Sequence, residues 1–164
     1  MNHSNKTVCV VGASGLLGSN VLKEALARGY KVNGTLRDVN APGKATFLNA
    51  LPNAEANLRL FEAEMADKAS FDDAFSNVDC VFIACLIPVY KGPTGKPARE
   101  MDDEQGYAEI IMPTVNGCLN IMNAAAKQKV KNVVICSSTS STNQVPPVPI
   151  KNEIDQWSDE KEQC

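Results

Sequence analysis

The stretch VVGASGLLGSNV, residues 10–21, constrains the fold more than any other, because its three glycines stand three residues apart between two apolar runs. Glycine loses more backbone freedom on folding than any other residue, so this density indicates a turn that must approach something closely. After a strand and before a helix, Gly12 would allow the tight turn, Gly15 the approach of a pyrophosphate, and Gly18 close helix packing. The stretch therefore predicts a dinucleotide site with its phosphates at a helix N-terminus. A glycine-rich turn without a ligand is the alternative.

The rest of the chain alternates between predicted strands and helices. Apolar runs indicate buried strands at residues 7–12, 31–36, 58–64, 80–85 and 132–138, with helical spacing at 16–29, 70–77 and 110–129. Ser70 is a candidate N-cap for the second helix. Strands that alternate with helices pair in parallel, and strands this apolar are covered on both faces. We expect an α/β fold, a Rossmann-type doubly wound parallel sheet that is incomplete at its C-terminal side.

Two segments do not follow either periodicity. Residues 88–106 are rich in glycine, proline and charge, which predicts a long surface loop, and residues 141–164 contain three prolines within four positions before a polar end. We divide the chain into a coenzyme-binding domain at 1–145 and an irregular tail at 146–164.

Composition excludes several classes of protein. The formal net charge of -3 gives no basic field for nucleic acid or an anionic membrane surface. The longest apolar run is far shorter than a bilayer span, and the N-terminus lacks a signal-peptide core, so a cytoplasmic location is expected. Five of the six cysteines lie in or beside apolar runs, no CxxC pair occurs, and the single histidine leaves no metal-ligand set. We interpret these cysteines as buried thiols and predict no metal site.

The end of the second predicted strand bears on the choice of coenzyme. In the motif TLRD, Arg37 stands where an NAD-binding site requires an acid, and a guanidinium suits the 2'-phosphate of NADP. Lys44 is a candidate second cation for that phosphate. Both are also consistent with solvated surface cations, and Asp38 leaves NAD open.

The motifs VVGASGLLGSN, TLRD, LFEAEMADKASFDDAF, VDCVFIA, PTVNGCLNIMNAA and VVICSS occur in this order. With them the chain resembles the extended short-chain dehydrogenase/reductases, in the branch of the dihydroflavonol and cinnamoyl-CoA reductases. The resemblance covers nearly the whole chain. It implies a Rossmann domain, NADP(H), and hydride transfer from the nicotinamide to the carbonyl of a small ketone or aldehyde, aromatic or flavonoid-like. The catalytic set of that family is a serine, a tyrosine in Tyr-x-x-x-Lys, and the lysine.

The resemblance also implies roles for individual residues. The pyrophosphate would contact Ser14, Gly15, Leu16 and Leu17, and the 2'-phosphate would contact Arg37 and Lys44. The adenine would contact Glu64 and Met65, and the ribose would contact Ala84, Cys85 and Leu86. Ser138 corresponds to the catalytic serine and Asn143 to a substrate contact. Glu64 stands where the family has an aspartate, and residues 84–86 lack a side-chain hydroxyl that the family carries beside the ribose.

The Tyr-x-x-x-Lys motif does not occur in these residues. Its place would lie shortly beyond Cys164, and none of Tyr30, Tyr90 and Tyr107 has a lysine four residues on. In that family the tyrosine donates a proton to the substrate oxygen. Such general-acid catalysis raises the rate by about 10²- to 10⁴-fold, so we expect the isolated chain to have little or no reductase activity. A non-catalytic NADP(H)-binding regulatory or partner-completing module, and a remnant that binds nothing, are the alternatives. We also expect self-association through the open edge of the fifth strand.

Overall fold

Five parallel strands form one sheet in the order β3-β2-β1-β4-β5. The structure, a computed structural model, describes residues 5–85, 91–142, 144, 146–152, 154 and 157. The strand order reverses between β1 and β4, and a crevice opens beyond the carboxyl ends of the strands at such a point. The strands are β1 (Thr7–Val11), β2 (Lys31–Leu36), β3 (Leu58–Glu62), β4 (Cys80–Ile83) and β5 (Asn132–Ile135).

Helices follow each of the first four strands. The two long ones, α1 and α6, cover opposite faces of the sheet, and a π-helix (Tyr107–Ile111) joins α5 directly to α6. Short 3-10 helices occur at Ala98–Glu100 and Thr139–Thr142. The α-helices are α1 (Leu16–Ala27), α2 (Lys44–Asn49), α3 (Ala54–Asn57), α4 (Asp72–Phe75), α5 (Asp103–Gly106) and α6 (Met112–Lys127).

Alternation along β1 divides the core into two layers. Successive side chains of a strand point to opposite faces, so Cys9 and Val11 pack with α4 and α6, while Val8 and Val10 pack with α1 and α2. The layers contain apolar side chains from both long helices, including Leu22 and Leu26 of α1. The predicted doubly wound parallel sheet is confirmed.

Four of the five predicted strands end earlier than expected, β3 and β5 among them. β5 ends at Ile135 rather than at residue 138, because β4, the strand with which it pairs, ends at Ile83; Cys136 N–H donates to the Ile83 carbonyl at 3.1 Å. β3 ends at Glu62 rather than at residue 64, where the chain turns. Beyond it, the Ser70 hydroxyl accepts from Glu64 N–H at 3.1 Å. The N-cap of the following helix, Asp72–Phe75, is Phe71, so the prediction that Ser70 caps it was wrong.

The predicted loop at 88–106 is partly helical. Residues 88–90 lie outside the described part of the chain, and Lys91 pairs with Pro97 in an isolated antiparallel bridge before the 3-10 helix and α5. Asp102 caps α5, since its Oδ1 accepts from Gln105 N–H at 2.8 Å. A capping signature, Asp followed three residues later by Gln, was therefore present in a segment that composition alone marked as irregular.

β5 lies at one edge of the sheet with its side chains partly uncovered. Val134 and Ile135 are each 49% exposed. Within the described ranges, no helix has the length and apolar character needed to cross a membrane. Among the described residues β5 pairs with β4 alone, so the open edge that we predicted is present there, with apolar side chains on the strand.

Candidate functional site

The glycine turn after β1 is held in place by β2. Gly12 N–H donates to Thr35 Oγ1 at 3.3 Å, and Ala13 N–H donates to the Thr35 carbonyl at 3.0 Å. Gly12 has a φ of 78°, a left-handed conformation that favours glycine, and a Cβ there would lie 2.6 Å from Cys85 Cβ. Gly15 N–H also donates to the Gly12 carbonyl at 3.0 Å, so the turn is held both by its own backbone and by Thr35, a buried residue of β2.

The first turn of α1 presents backbone N–H groups at this turn. Gly15 is the N-cap with an extended backbone, no side chain caps the helix, and no acidic residue stands in its first turn. Unpaired N–H groups and the helix dipole favour an anion at such an end. Gly18 has a different use, because a Cβ there would lie 2.1 Å from the Gly12 carbonyl oxygen. Gly18 therefore allows α1 to pack against the turn.

A cavity of about 620 Å³ opens beyond the carboxyl ends of β1, β2 and β3. It brings together seven of the residues predicted to contact a coenzyme, from four different segments of the chain. A dinucleotide lies in the corresponding crevice of doubly wound sheets, so the position and the lining both fit one. The seven residues are Gly12, Ser14, Gly15, Arg37, Glu64, Met65 and Cys85.

Arg37 and Asp38 differ in what they can offer a ligand. Arg37 lines the cavity, and in the part of the chain that the structure describes no carboxylate forms an ion pair with its guanidinium. Asp38 is absent from the lining, and its Oδ1 accepts from Asn40 N–H at 2.7 Å within a local turn. Lys44, the first residue of α2, is exposed and lies outside the cavity. The Arg37 guanidinium thus lines the cavity, whereas the carboxylate of Asp38 does not.

Helix α6 forms the opposite wall through a contact that sequence reasoning missed. Asn120 Nδ2 donates to the Met65 carbonyl at 2.8 Å, and Asn120 is 9% exposed. A Cβ on Gly117 would lie 2.8 Å from Met65 Cε, so the absent side chain makes room for Met65. Met65 is therefore held at the cavity by two residues of α6. The available signal for this contact was a glycine and an asparagine three residues apart on the buried face of α6.

Cys85 lies at the base of the cavity, against the glycine turn. Its Sγ would be 3.0 Å from a Cβ on Gly12, and burial raises the pKa of the Cys85 thiol. Burial thus favours the protonated form of this thiol over the thiolate. Ser138 follows β5 at the same edge of the sheet but does not line the cavity; its carbonyl accepts from Ser141 Oγ at 2.6 Å.

The remaining predicted residues lie elsewhere. Leu16 and Leu17 are 87% and 44% exposed at the start of α1, and Ala84 packs beneath the sheet in the layer of α1. Leu86 and Asn143 lie outside the described residues. Their roles stay predictions. The cavity is also lined by residues that we did not predict: Val11, Thr35, Leu36, Ala63, Ala66, Phe71, Pro113, Asn116, Gly117 and Asn120.

A second cavity, of about 750 Å³, is larger but lies at the other end of the strands. Four of the five charged residues that line it form ion pairs: Lys6 Nζ lies 2.8 Å from Asp79 Oδ1, and Arg28 Nε lies 2.7 Å from Glu24 Oε1. Neither the glycine turn nor the N-terminus of α1 contributes to it. The smaller cavity is therefore the better candidate for a nucleotide.

Proteins with related sequences are reductases. The chain is 35% identical over 161 residues to a bifunctional dihydroflavonol 4-reductase/flavanone 4-reductase of Pyrus communis, covering 97% of this chain and 43% of the relative. It is 34% identical over 169 residues to cinnamoyl-CoA reductase CAD2 of Medicago truncatula, covering 100% of this chain and 48% of the relative. The chain thus spans less than half the length of these relatives.

Solved structures and a family profile point to the same group of proteins. Vestitone reductase of alfalfa superposes with a TM-score of 0.65 at 30% identity, over 93% of this chain and 43% of that one. Gre2 of Candida albicans, solved in complex with NADPH, gives 0.65 at 26% identity, over 84% and 38%. The profile described as NAD(P)H-binding matches residues 12–164. The chain therefore belongs to the NAD(P)H-binding Rossmann family of the short-chain dehydrogenase/reductases, among the relatives of dihydroflavonol and cinnamoyl-CoA reductases.

Proposed function

We propose that this chain is the NADP(H)-binding part of a carbonyl reductase of the dihydroflavonol and cinnamoyl-CoA reductase type. One observation carries the proposal: the glycine turn, Arg37 and Met65 come from three different β-α connections and line one cavity at the reversal of strand order. Ser14 and Gly15 would lie along the pyrophosphate, with the N-terminus of α1 supplying N–H donors. Glu64 and Met65 would flank the adenine.

The preference for NADP over NAD rests on Arg37. The 2'-phosphate would receive a charged, two-pronged donor from a guanidinium that no carboxylate within the described residues neutralises. NAD-binding would require Asp38 at the ribose hydroxyls, and that carboxylate is engaged with Asn40 N–H instead. Lys44 would add a second cation only if α2 or its side chain moved toward the cavity.

The bound coenzyme would supply hydride from its nicotinamide to the carbonyl carbon of a ketone or aldehyde. Ser138 would donate a hydrogen bond to the carbonyl oxygen of that substrate, from the edge of the sheet where β5 ends. The printed names of the relatives, dihydroflavonol and flavanone reductases, support a small aromatic or flavonoid-like substrate. Since residues 1–164 contain no Tyr-x-x-x-Lys motif, we propose that they bind coenzyme without turning it over.

Coenzyme titration of matched variants tests this proposal. Binding of NADPH and NADH is measured by nucleotide fluorescence or calorimetry for the wild type, Arg37→Ala and Lys23→Ala, the last an exposed cation of α1 away from the cavity. Loss of a charged hydrogen bond is worth about 1.5–3 kcal/mol, so Arg37→Ala should weaken NADPH by roughly 10- to 100-fold and NADH little. Lys23→Ala should change neither.

Three results count against the proposal. A folded wild type that binds neither nucleotide removes the site itself, and equal weakening of NADPH and NADH by Arg37→Ala removes the assigned role of the guanidinium. NADPH oxidation by residues 1–164 at the rate of a competent reductase, with an aromatic ketone or aldehyde, contradicts the proposed lack of turnover.

Self-association through the sheet is a separate part of the proposal. Within the described ranges no strand pairs with the outer edge of β5, and its exposed Val134 and Ile135 extend an apolar surface along it. Such an edge is a template for pairing with another chain, and natural proteins commonly block it with lysine. Val134→Lys should therefore reduce association if this edge is responsible.

A further inference from the structure

A short proline-rich segment in the tail of the chain takes no part in the coenzyme site. Residues 146–151 read PPVPIK, and none of the six lines either of the two cavities described above. They form neither helix nor strand. Five of the six are exposed, Ile150 by 79%, and Val148 is half-buried. We call these six residues the proline segment.

Proline restricts the backbone of this segment before any partner binds. Its ring locks φ at about −65°, and the residue that precedes a proline is driven from the helical region toward extended conformations. Pro147 and Pro149 therefore restrict Pro146 and Val148 as well, which favours polyproline II over four successive residues. Such a segment loses little conformational freedom on binding, so more of its contact energy appears as affinity.

The repeat of this conformation sorts the side chains onto separate edges. Polyproline II has about three residues per turn and rises about 3.1 Å per residue, so Pro146 and Pro149 would lie on one edge, about 9 Å apart. Pro147 and Ile150 would lie on a different edge. Two prolines at this spacing fit the aromatic-lined grooves of the domains that bind PxxP peptides.

Charge at the end of the segment distinguishes among such domains. Within positions 132–152 of the sequence, Lys151 is the only charged residue, and it is exposed. In SH3 domains acidic side chains lie beside the aromatic groove, so a cation two residues after the second proline would pair with them. That pairing would also fix the direction in which the segment lies in the groove.

We propose that the proline segment is a docking site for an SH3-type domain of another protein. The rings of Pro146 and Pro149 would pack on aromatic side chains of the groove, and the Lys151 ammonium would pair with carboxylates at its end. The segment does not line the coenzyme cavity, so docking does not depend on NADP(H). A contact made by six residues is smaller than a standard interface, and we expect it to be weak and reversible.

Titration of a labelled SH3 domain with the whole chain, followed by NMR, tests the docking. The probe is one recombinant SH3 domain selected for binding synthetic PxxPxK peptides, and the signals of its groove residues should shift. Combining Pro146→Ala with Pro149→Ala removes both rings from one edge, so Kd should rise by about 30-fold or more. Pro147→Ala is the matched control, because it removes the same ring from a different edge. The stiffness lost in that variant should raise Kd by at most about fivefold.

An exchange of charges tests the role of Lys151. Lys151→Glu should weaken binding by about tenfold at low salt and by less at high salt, because like charges would then face each other. A second probe, in which lysine replaces the acidic groove residues, should bind the Lys151→Glu variant better than it binds the wild-type chain. Lys23→Glu changes an exposed cation of α1 and should leave the binding of both probes unchanged.

Four outcomes overturn the proposal. The first two are a wild-type chain that shifts no groove signal up to about 1 mM, and a double proline variant that binds as tightly as Pro147→Ala. The others are a charge exchange that restores no affinity, and tighter binding of a WW domain than of the SH3 probe. Circular dichroism of each variant shows that it is folded, so a loss of binding is assigned to the segment itself.

Discussion

Gly18→Ala is predicted to destabilise the chain through one backbone contact. A Cβ at this position would lie 2.1 Å from the Gly12 carbonyl oxygen and 2.9 Å from its carbon, and neither atom belongs to a flexible side chain. Carbon and oxygen atoms touch at roughly 3.3 Å, so α1 and the glycine turn must separate by about 1.2 Å. Overpacking of this kind costs about 1–3 kcal/mol. Replacing glycine by alanine within a helix stabilises the helix by about 1 kcal/mol, which offsets part of this cost.

The expected result is a loss of up to about 2 kcal/mol in the free energy of unfolding, or roughly 4–8 °C in Tm for a chain of this size. Urea denaturation followed by circular dichroism measures it. Gly106→Ala is the matched control, because Gly106 has a helical backbone with nothing within 4 Å of a Cβ. It should be neutral or stabilising by up to about 1 kcal/mol. If Gly18→Ala were as stable as Gly106→Ala, the close approach of α1 to the turn would be refuted.

Two further changes probe the wall of the cavity and the sheet. Asn120→Leu leaves the Met65 carbonyl without its donor, so unfolding free energy should fall by about 1–3 kcal/mol and NADPH affinity should fall with it; unchanged denaturation would contradict this. The Lys6 ammonium, and then Thr7 N–H, hold the pKa of Asp79 below its usual 3.8. That stabilisation is present above the ordinary pKa and lost as pH falls through the lowered one. Asp79→Asn should therefore lose up to about 1 kcal/mol at neutral pH and match the wild type in strong acid, as pH-dependent urea melts would show.

The strands were readable from sequence because their apolar character is local. The run 31–36 was predicted to the residue, and β1 and β4 were overextended by one and two residues at their carboxyl ends. The ends depend on neighbours: β5 stops where β4 stops, and β3 stops where Ser70 folds back on Glu64. Pairing partners lie far away in sequence, so the limits of a strand do not follow from its own residues.

The candidate site divides in the same way. Gly12, Ser14 and Gly15 lie within one short motif, and Arg37 stands at the end of the next strand, so spacing along the chain was enough to propose them. Asn120 contacts Met65 across 55 residues of sequence. Such a contact depends on where α6 packs, and one sequence carries no direct record of that packing.

Segment 91–106 shows where composition misled. Glycine, proline and charge predicted a loop, but the Asp102 cap starts a helix that runs without a break through α5, the π-helix and α6. Local hydrogen bonding by a side chain decided the structure there, which residue frequencies do not capture.

By itself, the sequence determined the class of fold and the place of the nucleotide turn, because apolar periodicity and glycine spacing act within one strand or one turn of the backbone. Only the tertiary structure decided which residues meet at the cavity. In the folded chain Arg37 lines the cavity, while Asp38 accepts a hydrogen bond within a local turn. Thr35 lies against the glycine turn, and the outer face of α6 is exposed. Each of these depends on how separate elements pack across long stretches of chain, where burial and hydrogen bonding between distant residues outweigh local preference.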